Sequence, residues 1–341
     1  LSLLNTDWYI RQLKHNDPYG VGTINMRMSD TQIEQIRPIQ WNPQEVTIPL
    51  PQSMPEIKDL IQKYDIMDST VINQGSIKFR MENTLTFGEV KAVRVQDLMV
   101  KEIIESNNWQ RPIYFAATCS EDSKIGLQDY LRMEGMAFRF VPEKRKQGIE
   151  FINHELVSKQ LKENPGYNKN YEAGFKFRGV NDKNIFFDEN HRRLIQNYRN
   201  SFVRLTLYYI NTNQNNLALQ TLDLMEQKIP RDIRPMPFGL LYEISNLYYS
   251  AGAKDKYKEI AKELETEAYA TLENNPQDIQ SYYNPYRVLI DIYENTNDYA
   301  NALKLWQRIE MQYPNDPSVK VNIEKYRKLS QGDSTGTDTL K

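Results

Sequence analysis

This sequence contains little of what metal, disulfide or nucleic-acid sites require. One cysteine, Cys119, among 341 residues excludes an internal disulfide framework and any zinc site built from several thiolates. The three histidines are far apart in sequence and show no metal-ligand spacing. Lys and Arg number 43 against 45 Asp and Glu, so the basic surface that tracks nucleic-acid phosphates is missing. We therefore expect no metal, no cofactor and no nucleic-acid partner.

Long apolar runs are also missing. No stretch approaches the roughly 18 apolar residues that a membrane span needs, and no charged-then-apolar signal segment opens the chain. The chain begins at Leu1 in the middle of an apolar pattern. We interpret it as a fragment whose targeting or anchoring segment has been removed.

Residues 1–142 mix strand and helix patterns and predict an α/β domain. The apolar run at 1–4 predicts a strand, followed by helix caps at Asn5 and Thr6. Prolines between residues 18 and 60 are too closely spaced for a long helix, so this stretch is predicted to be irregular. Alternation over 70–94 predicts a hairpin or meander, with one face formed by Ile77, Phe79 and Met81.

The pattern over 97–141 alternates between helix and strand. It predicts two helices and two strands, at 97–106, 112–117, 125–134 and 136–141, with Gly135 as a helix C-cap. Short connections of this kind indicate a right-handed parallel crossover. We therefore predict a small parallel or mixed sheet.

Residues 143–187 are interpreted as a connecting segment, with a short helix near 152–162 and a strand-like stretch within 174–187. Asp188 is predicted to cap a long helix. Residues 188–329 are predicted to be an all-α superhelix of three tetratricopeptide-like repeats. The tail, 330–341, lacks apolar periodicity and is predicted to be disordered.

An internal repeat defines the helical region. At an offset of 84 residues the chain matches itself, including an identical Asn-Thr-Asn turn at 211–213 and 295–297. A small alanine where two helices cross and a proline after the second helix are typical of tetratricopeptide repeats. The matched pairs are Leu205 with Leu289, Tyr209 with Tyr293, Ala218 with Ala302, and Pro230 with Pro314.

A middle copy of the repeat is less regular. Leu241, Ile244 and Tyr248 hold the first-helix positions, but Tyr257 replaces the crossing-point alanine, and the second helix is predicted to reach about Asn274. Stacked repeats form a concave face that binds peptides or helices. The alternative is that the repeats only cap and rigidify the neighbouring domain.

The first candidate binding residues are Asp7, Trp8 and Tyr9. They follow the first predicted strand, at the edge where open α/β sheets bind ligands. The helix N-terminus could hold an anion, and Trp8 could stack on a sugar. Alternatively, Asp7 complements the helix dipole and Trp8 belongs to the core.

Two further groups of polar residues are candidates. Tyr130 and Glu134 share a predicted helix with Asp129, where paired carboxylates could serve acid–base chemistry or lie exposed beside Arg132. The second group either binds a ligand between the two domains or ties them together, and it contains Arg178, Asp182, Asn197 and Arg199. No catalytic residue and no metal ligand is assigned.

Four blocks of sequence resemble a known family. They are LSLLNTDWYIRQLK, VKEIIESNNWQRPIYFAAT, GLQDYLRMEGMAFRFVPEK and FKFRGVNDKNIFFDENHRRLIQNYRNSFVRL. Together they are similar to the soluble C-terminal region of a bacterial multipass membrane protein family, typical of Bacteroidetes. That family is related to the vertebrate transmembrane O-mannosyltransferase with a tetratricopeptide tail.

The resemblance implies a membrane-embedded core of the glycosyltransferase-C type elsewhere in the polypeptide, with its catalytic acid in an early loop. This chain would then carry none of the catalytic residues and would lie on the periplasmic side of the inner membrane. Its expected partners are that membrane core and a protein or peptide acceptor, with a glycan as a further possibility. The expected function is non-catalytic acceptor recognition or scaffolding. The alternative is a free-standing periplasmic protein- or glycan-binding scaffold, and a soluble enzyme is a third reading.

Overall fold

The computed structural model describes residues 2–17, 20, 22–162, 174–275 and 282–332. These residues form two compact units. The first, here called the sheet unit, takes its described residues from 1–176 and 193–212. The second, here called the helical unit, takes them from 177–192 and 213–341. The predicted domain boundaries at 142 and 187 stay predictions.

The sheet unit contains short helices and short strands. Its helices are α1 Asp7–His15, α2 Asp30–Glu34, α3 Met54–Tyr64, α4 Thr70–Gln74, α5 Val95–Asn107 and α6 His154–Lys162. Its strands are β1 Ile39–Gln40, β2 Gln44–Pro49, β3 Ser76–Met81, β4 Leu85–Phe87, β5 Val90–Val93, β6 Tyr114–Ala116, β7 Leu131–Met133 and β8 Ala137–Phe140. Single 3₁₀ turns lie at Ser2–Asn5, Glu121–Lys124 and Gln128–Tyr130.

The strands pair in three small sheets, ordered β1-β5-β4, β2-β3 and β6-β8-β7. Every pairing between these strands is antiparallel. The described parallel contact is one isolated bridge between Met133 and Ile152. The predicted parallel crossover is therefore wrong: β6 and β8 are neighbours, but they run in opposite directions.

The helix predicted over 125–134 is also wrong, because this segment contains a 3₁₀ turn and β7. Leu131, Arg132 and Met133 are all buried, so β7 shows no alternation between a wet and a dry face. Gly135, predicted as a helix C-cap, has φ +78° in the β7–β8 hairpin. The Glu134 amide donates to the Ala137 carbonyl at 2.8 Å and closes that turn.

Three other predictions are corrected. The start of the chain is a 3₁₀ turn at Ser2–Asn5 instead of a strand. Residues 22–60 are more regular than predicted because prolines lie at the ends of elements: Pro49 ends β2 and Pro55 lies in the first turn of α3. Residues 18, 19 and 21 of the same prediction lie outside the described residues. Residues 174–187 form turns without a strand.

Several local predictions are confirmed. Ile77, Phe79 and Met81 are the buried face of β3, and the turn around Gly88 joins β4 to β5. The predicted helices near 97–106 and 152–162 are α5 and α6. Asp188 caps the predicted long helix, since its Oδ1 accepts from the His191 amide at 2.8 Å.

The main core of the sheet unit brings β2, β3 and the loop after residue 124 into contact. Gly126 is required there, because a Cβ at its position would lie 2.1 Å from the Arg80 carbonyl oxygen of β3. A second buried cluster joins α1, α2 and α5 through Ile10, Ile33 and Met99. The main core includes residues that closely precede segments lining the site described below, namely Tyr64, Leu131 and Val141.

The last helices follow one another along the chain. They are α7 Glu189–Asn211, α8 Asn215–Lys228, α9 Phe238–Ser250, α10 Lys254–Asn274, α11 Pro285–Thr296, α12 Tyr299–Gln312 and α13 Pro317–Ser330. α7 contributes to both units, and within the helical unit consecutive helices from α8 to α13 contact one another. The long second helix predicted for the middle copy is confirmed by α10, which ends at Asn274.

The two copies of the repeat end their helices in the same way. Asn213 and Asn297 both have φ +58°, a left-handed conformation that asparagine tolerates better than most residues. The preceding threonine hydroxyls donate back into their own helices: Thr212 to the Tyr208 carbonyl at 2.8 Å, and Thr296 to the Ile292 carbonyl at 2.7 Å. The repeat visible in the sequence is thus a repeat of backbone geometry.

The other repeat-defining residues are either buried or lie just after a helix, and their roles in tetratricopeptide packing stay a prediction. Leu205, Tyr209, Ala218, Leu289, Tyr293 and Ala302 are all buried. Pro230 and Pro314 each lie two residues after the last residue of a helix, α8 and α12 respectively. Of the predicted tail, residues 333–341 lie outside the described residues.

Candidate functional site

A cavity of about 290 Å³, lined by polar, charged and aromatic residues, lies within the sheet unit. Four parts of the chain line it: the loop after α3, Arg132 of β7, residues 143–155 between β8 and the first turn of α6, and the C-terminal end of α7 with Thr212. Its lining residues are Asp65, Met67, Arg132, Glu143, Lys144, Lys146, Ile149, Glu150, Phe151, Ile152, Asn153, His154, Glu155, Tyr208 and Thr212. We call it the Glu143 cavity.

The buried Arg132 holds one wall of the Glu143 cavity in place. Its guanidinium donates to the carbonyl of Tyr64 at 2.7 Å and to that of Asp65 at 2.8 Å. Both carbonyls belong to the C-terminal end of α3, where backbone oxygens lack partners within the helix and a positive charge complements the dipole. Asp65 has φ +50° and ends the helix, so Arg132 fixes the loop that follows.

A second arginine completes this arrangement. Arg139 of β8 donates to the Lys63 carbonyl at 2.9 Å and stacks on the Tyr64 ring, with 4.6 Å between the guanidinium carbon and the ring centroid. Glu134 lies between the two arginines, accepting from Arg132 at 3.0 Å and from the Tyr114 hydroxyl at 3.1 Å. A buried carboxylate with these partners is satisfied and structural.

Glu143 is the buried acid that lines the cavity itself, and only 6% of its surface is exposed. Burial raises its pKa above the usual range, although a weak hydrogen bond from the Met67 amide at 3.4 Å and the charge of Arg132 oppose the shift. Arg132 Nη1 is 3.7 Å from Glu143 Oε2, too far for a direct hydrogen bond. This carboxyl is therefore available to a polar ligand.

The opposite wall carries aromatic rings. His154 stacks on Tyr208 with 4.5 Å between ring centroids and 19° between ring planes, and Tyr209 meets His154 edge-on. Asn153 caps α6, because its Oδ1 accepts from the Leu156 amide at 3.2 Å. This cap places His154 in the first turn of α6 and fixes its ring against α7.

Charged side chains of both signs line the cavity. Glu150 accepts from Arg204 at 2.8 Å, and Lys146 lies 3.1 Å from Asp68. Hydrogen bonds from Thr70 and then Lys146 hold the pKa of Asp68 at about 2. Four acids and three bases are among the lining residues, so no single sign of charge dominates.

The structure places the first predicted site on the surface of α1. Asp7 forms an ion pair with Arg11 at 3.1 Å, and Trp8 is 55% exposed. Tyr9 packs partly buried against the second core cluster and meets Trp8 edge-on at 5.6 Å. Residues 2–5, which directly precede α1, form a 3₁₀ turn and not a strand, so the predicted position at the edge of a sheet is wrong for these described residues.

Tyr130 and Glu134 do not share a helix. The Tyr130 hydroxyl donates to the Lys78 carbonyl at 3.0 Å and belongs to the core. Glu134 lies behind the cavity wall and is bound to Arg132. Asp129 is half exposed near Lys144, so the two carboxylates face different surroundings.

The remaining candidates fall in different units. Arg178 and Asp182 belong to the helical unit, and Asn197 and Arg199 to the sheet unit. The Asp182 carbonyl accepts from Arg234 at 2.8 Å, one of several carbonyls in 179–185 that surround this guanidinium. Arg199 is fully buried and donates to Gln196 at 3.1 Å. A ligand site shared by all four stays a prediction.

Sequence reasoning missed the residues that line the Glu143 cavity, since it interpreted 143–187 as connecting structure. A usable signal is present in the run Glu150-Phe151-Ile152-Asn153-His154-Glu155, where acids, an amide, an imidazole and an aromatic ring follow one another from a loop into the first turn of α6. Loops held by a rigid scaffold commonly carry binding residues. The contribution of Tyr208, more than 50 residues later, has no local signal.

The comparisons with known proteins bear on this same segment. Residues 47–160, about a third of the chain, match the family model for TMEM260-associated domain 2. This match supports a relation to the TMEM260 family. It contains every lining residue of the Glu143 cavity except Tyr208 and Thr212. No curated protein matches the chain, and no solved structure does.

The described residues show neither a metal-binding cluster nor a membrane-spanning helix. No cluster of three or more His, Cys, Asp or Glu side chains in that part of the chain could hold a metal ion. In the same part, no helix combines the length and apolar character that crossing a bilayer would take.

Proposed function

We propose that this chain is a non-catalytic recognition region of a TMEM260-related membrane glycosyltransferase-like protein. Its partner is a protein or peptide acceptor, alone or with an attached glycan. The single observation that carries the proposal is that the matched segment, 47–160, contains almost all of the residues that line the Glu143 cavity. The periplasmic location and the bacterial glycosyltransferase-C core belong to this same proposal.

The groups around the cavity favour binding over chemistry. Arg132 and Glu134 are occupied by backbone carbonyls and by each other, so they position the wall. Glu143 has a raised pKa, but the hydrogen bond that its carboxyl accepts comes from the Met67 backbone amide, which cannot act as a nucleophile or a general base. Such a carboxyl can accept or donate a hydrogen bond to a bound molecule.

The helical unit supports a second contribution to recognition. The matching helix ends at Asn213 and Asn297 and the buried Ala218 and Ala302 favour a tetratricopeptide-like superhelix. Superhelices of this kind present extended surfaces to peptides. In this proposal the helical unit binds the acceptor polypeptide, and the Glu143 cavity in the sheet unit binds a smaller chemical group.

Binding of the purified 341-residue chain to an array of Ser/Thr-containing peptides and to a glycan array tests the proposal. We expect binding above background on at least one array and no sugar transfer by the chain alone. Signal on neither array would contradict a recognition function. Turnover that is lost on Glu143→Gln would contradict the non-catalytic assignment.

The alternative is a free-standing periplasmic scaffold that binds through the same surfaces. The reading frame that encodes the chain separates the two. A run of apolar spans in the same polypeptide supports the membrane-protein proposal, and its absence from the full reading frame supports the scaffold.

A further inference from the structure

We propose that the Glu143 cavity binds a single neutral, hydroxyl-rich ring, such as one sugar residue. This inference rests on the proposed recognition function and names the ligand class of the cavity. It depends on four features of the lining: its volume, its flat aromatic wall, its polar atoms without partners, and its balance of charge.

The volume suits a small ligand. About 290 Å³ corresponds to the space of roughly ten water molecules and lies at the lower end of typical ligand pockets. A single six-membered ring with its hydroxyl groups fits such a space. A folded peptide segment or an extended oligosaccharide does not.

The aromatic wall provides a flat apolar surface. The stacked rings of His154 and Tyr208 are nearly parallel, at 19°, and Phe151 adds a third aromatic side chain to the lining. A sugar ring presents C–H groups on its faces and hydroxyl groups around its edge. Its apolar face can pack on a flat ring while its hydroxyl groups reach polar neighbours.

Polar atoms around this wall lack partners within the described part of the chain. They are the Asn153 side-chain amide nitrogen, the Tyr208 hydroxyl and the second carboxylate oxygen of Glu150, whose other oxygen is held by Arg204. Together with the Glu143 carboxyl they supply both donors and acceptors. Hydroxyl groups, which donate and accept, match such a mixed set.

The charge balance argues against an anionic ligand. Three bases line the cavity, but Arg132 is engaged with backbone carbonyls and Glu134. Lys146 pairs with Asp68 at 3.1 Å, and Lys144 lies 3.6 Å from Asp129. Four acids line the same space, among them Glu143 and Glu150. A phosphate or carboxylate would meet these acids without a free guanidinium, whereas a neutral ligand avoids the repulsion.

The test titrates the full chain with methyl glycosides of glucose, galactose, mannose and N-acetylglucosamine. Calorimetry and ligand-observed NMR are used, with inorganic phosphate as the anionic probe. We expect saturable binding of at least one glycoside and none of phosphate. Tyr208→Leu, which removes the flat ring, should weaken binding about tenfold.

Asn153→Asp is the second variant. Aspartate keeps the helix cap, so α6 is retained, but it replaces the amide donor by an acceptor and should also weaken binding. Tyr282→Leu is the matched control, because Tyr282 is 79% exposed in the helical unit, and it should bind like the parent chain.

Phosphate binding that competes with the glycosides, or glycoside binding unchanged in both cavity variants, overturns the inference. So does the absence of any glycoside binding by a chain that still binds acceptor peptides, a result that leaves the proposed recognition function standing. If the parent chain binds neither the peptides nor the glycosides, both this inference and the proposed recognition function are overturned.

Discussion

The sheet unit and the helical unit satisfy their buried polar groups by different chemistry. In the sheet unit, full charges are buried: Arg132, Glu134 and Glu143 are each less than 9% exposed. In the helical unit, tyrosine hydroxyls join neighbouring helices to carboxylates. These pairs are Tyr242 with Asp291, Tyr248 with Asp223, Tyr293 with Glu265, and Tyr326 with Glu294.

The difference follows from what each unit must hold together. In the sheet unit, the carbonyls at the end of α3 can be reached only by a donor that is distant in sequence. An arginine guanidinium suits this position because it carries five N–H donors. Consecutive helices satisfy their own backbone, so they need only a neutral group that is apolar along its length and polar at its tip. Many of the 22 tyrosines have this role.

Arg132→Met should have the largest effect, in the sheet unit. The change uncaps the Tyr64 and Asp65 carbonyls and leaves Glu134 buried beside Arg139, 3.7 Å away, without its closest ion-pair partner. We expect the free energy of unfolding to fall by about 3–5 kcal/mol. Chemical denaturation followed by tryptophan fluorescence measures this free energy, because Trp8, Trp41 and Trp109 lie in this unit.

Arg80→Met, at an exposed ion pair, is the control and should change stability by about 0.5 kcal/mol or less. A loss below about 1 kcal/mol at Arg132 would show that the buried charges are not what holds this unit.

Ala302→Leu should have the next largest effect, in the helical unit. Ala302 is fully buried in α12, so extra methyl groups must displace neighbouring side chains. We expect a loss of about 1–3 kcal/mol, measured by circular dichroism in denaturant. Ala300→Leu introduces the same side chain at an exposed position of the same helix and should be nearly neutral. Equal effects at both positions would contradict the assignment of Ala302 as a close-packing position.

High pH should weaken the helical unit. Burial and the bond to Glu294 raise the pKa of Tyr326 to about 12, and burial with Asp291 does the same for Tyr242. The unfolded chain releases these protons near pH 10, whereas the folded chain retains them, so stability present below pH 10 is lost as the pH rises towards 12.

Tyr326→Phe should lower stability at neutral pH by about 1 kcal/mol and reduce the loss of stability at alkaline pH. Tyr282→Phe, at an exposed ring, should change neither quantity, and an alkaline loss unaltered by Tyr326→Phe would exclude this tyrosine as its source.

The smallest expected effects are at the two equivalent turns. Asn213→Ala and Asn297→Ala place a residue that disfavours positive φ at +58°, which should cost about 1 kcal/mol in each case. Glycine at either position should be tolerated, because it has no Cβ. Thermal unfolding of the four variants measures this. Clearly unequal losses of stability at the two positions would show that the two turns, although identical in sequence, do not contribute equally to stability.

The helical region could be predicted from sequence because its determinants are local. Each determinant acts on the chain within a few residues of its own position. A small alanine (Ala218), an asparagine in a left-handed conformation (Asn213) and a proline after a second helix (Pro230) therefore indicate the local structure around them. In the middle copy, Tyr257 stands in sequence where the other copies have alanine, and it is buried; its place at a helix crossing stays a prediction.

The sheet unit could not be predicted in this way, because its determinants lie far apart. Arg132 caps a helix that ends 67 residues earlier, and β7 is buried on both faces, so its pattern resembles a helix. The Glu143 cavity joins residues 143–155 to Tyr208 through tertiary contact alone. Sequence therefore identified Glu134 as noteworthy but placed it on the wrong element.

Hydrogen exchange of the full chain, measured with and without the methyl glycoside that binds most tightly, shows whether the Glu143 cavity is the binding site. We expect slower exchange in residues 143–157 and around Tyr208, with α10 and α12 unchanged. Slower exchange confined to the helical unit, or no change anywhere at saturating glycoside, would contradict it.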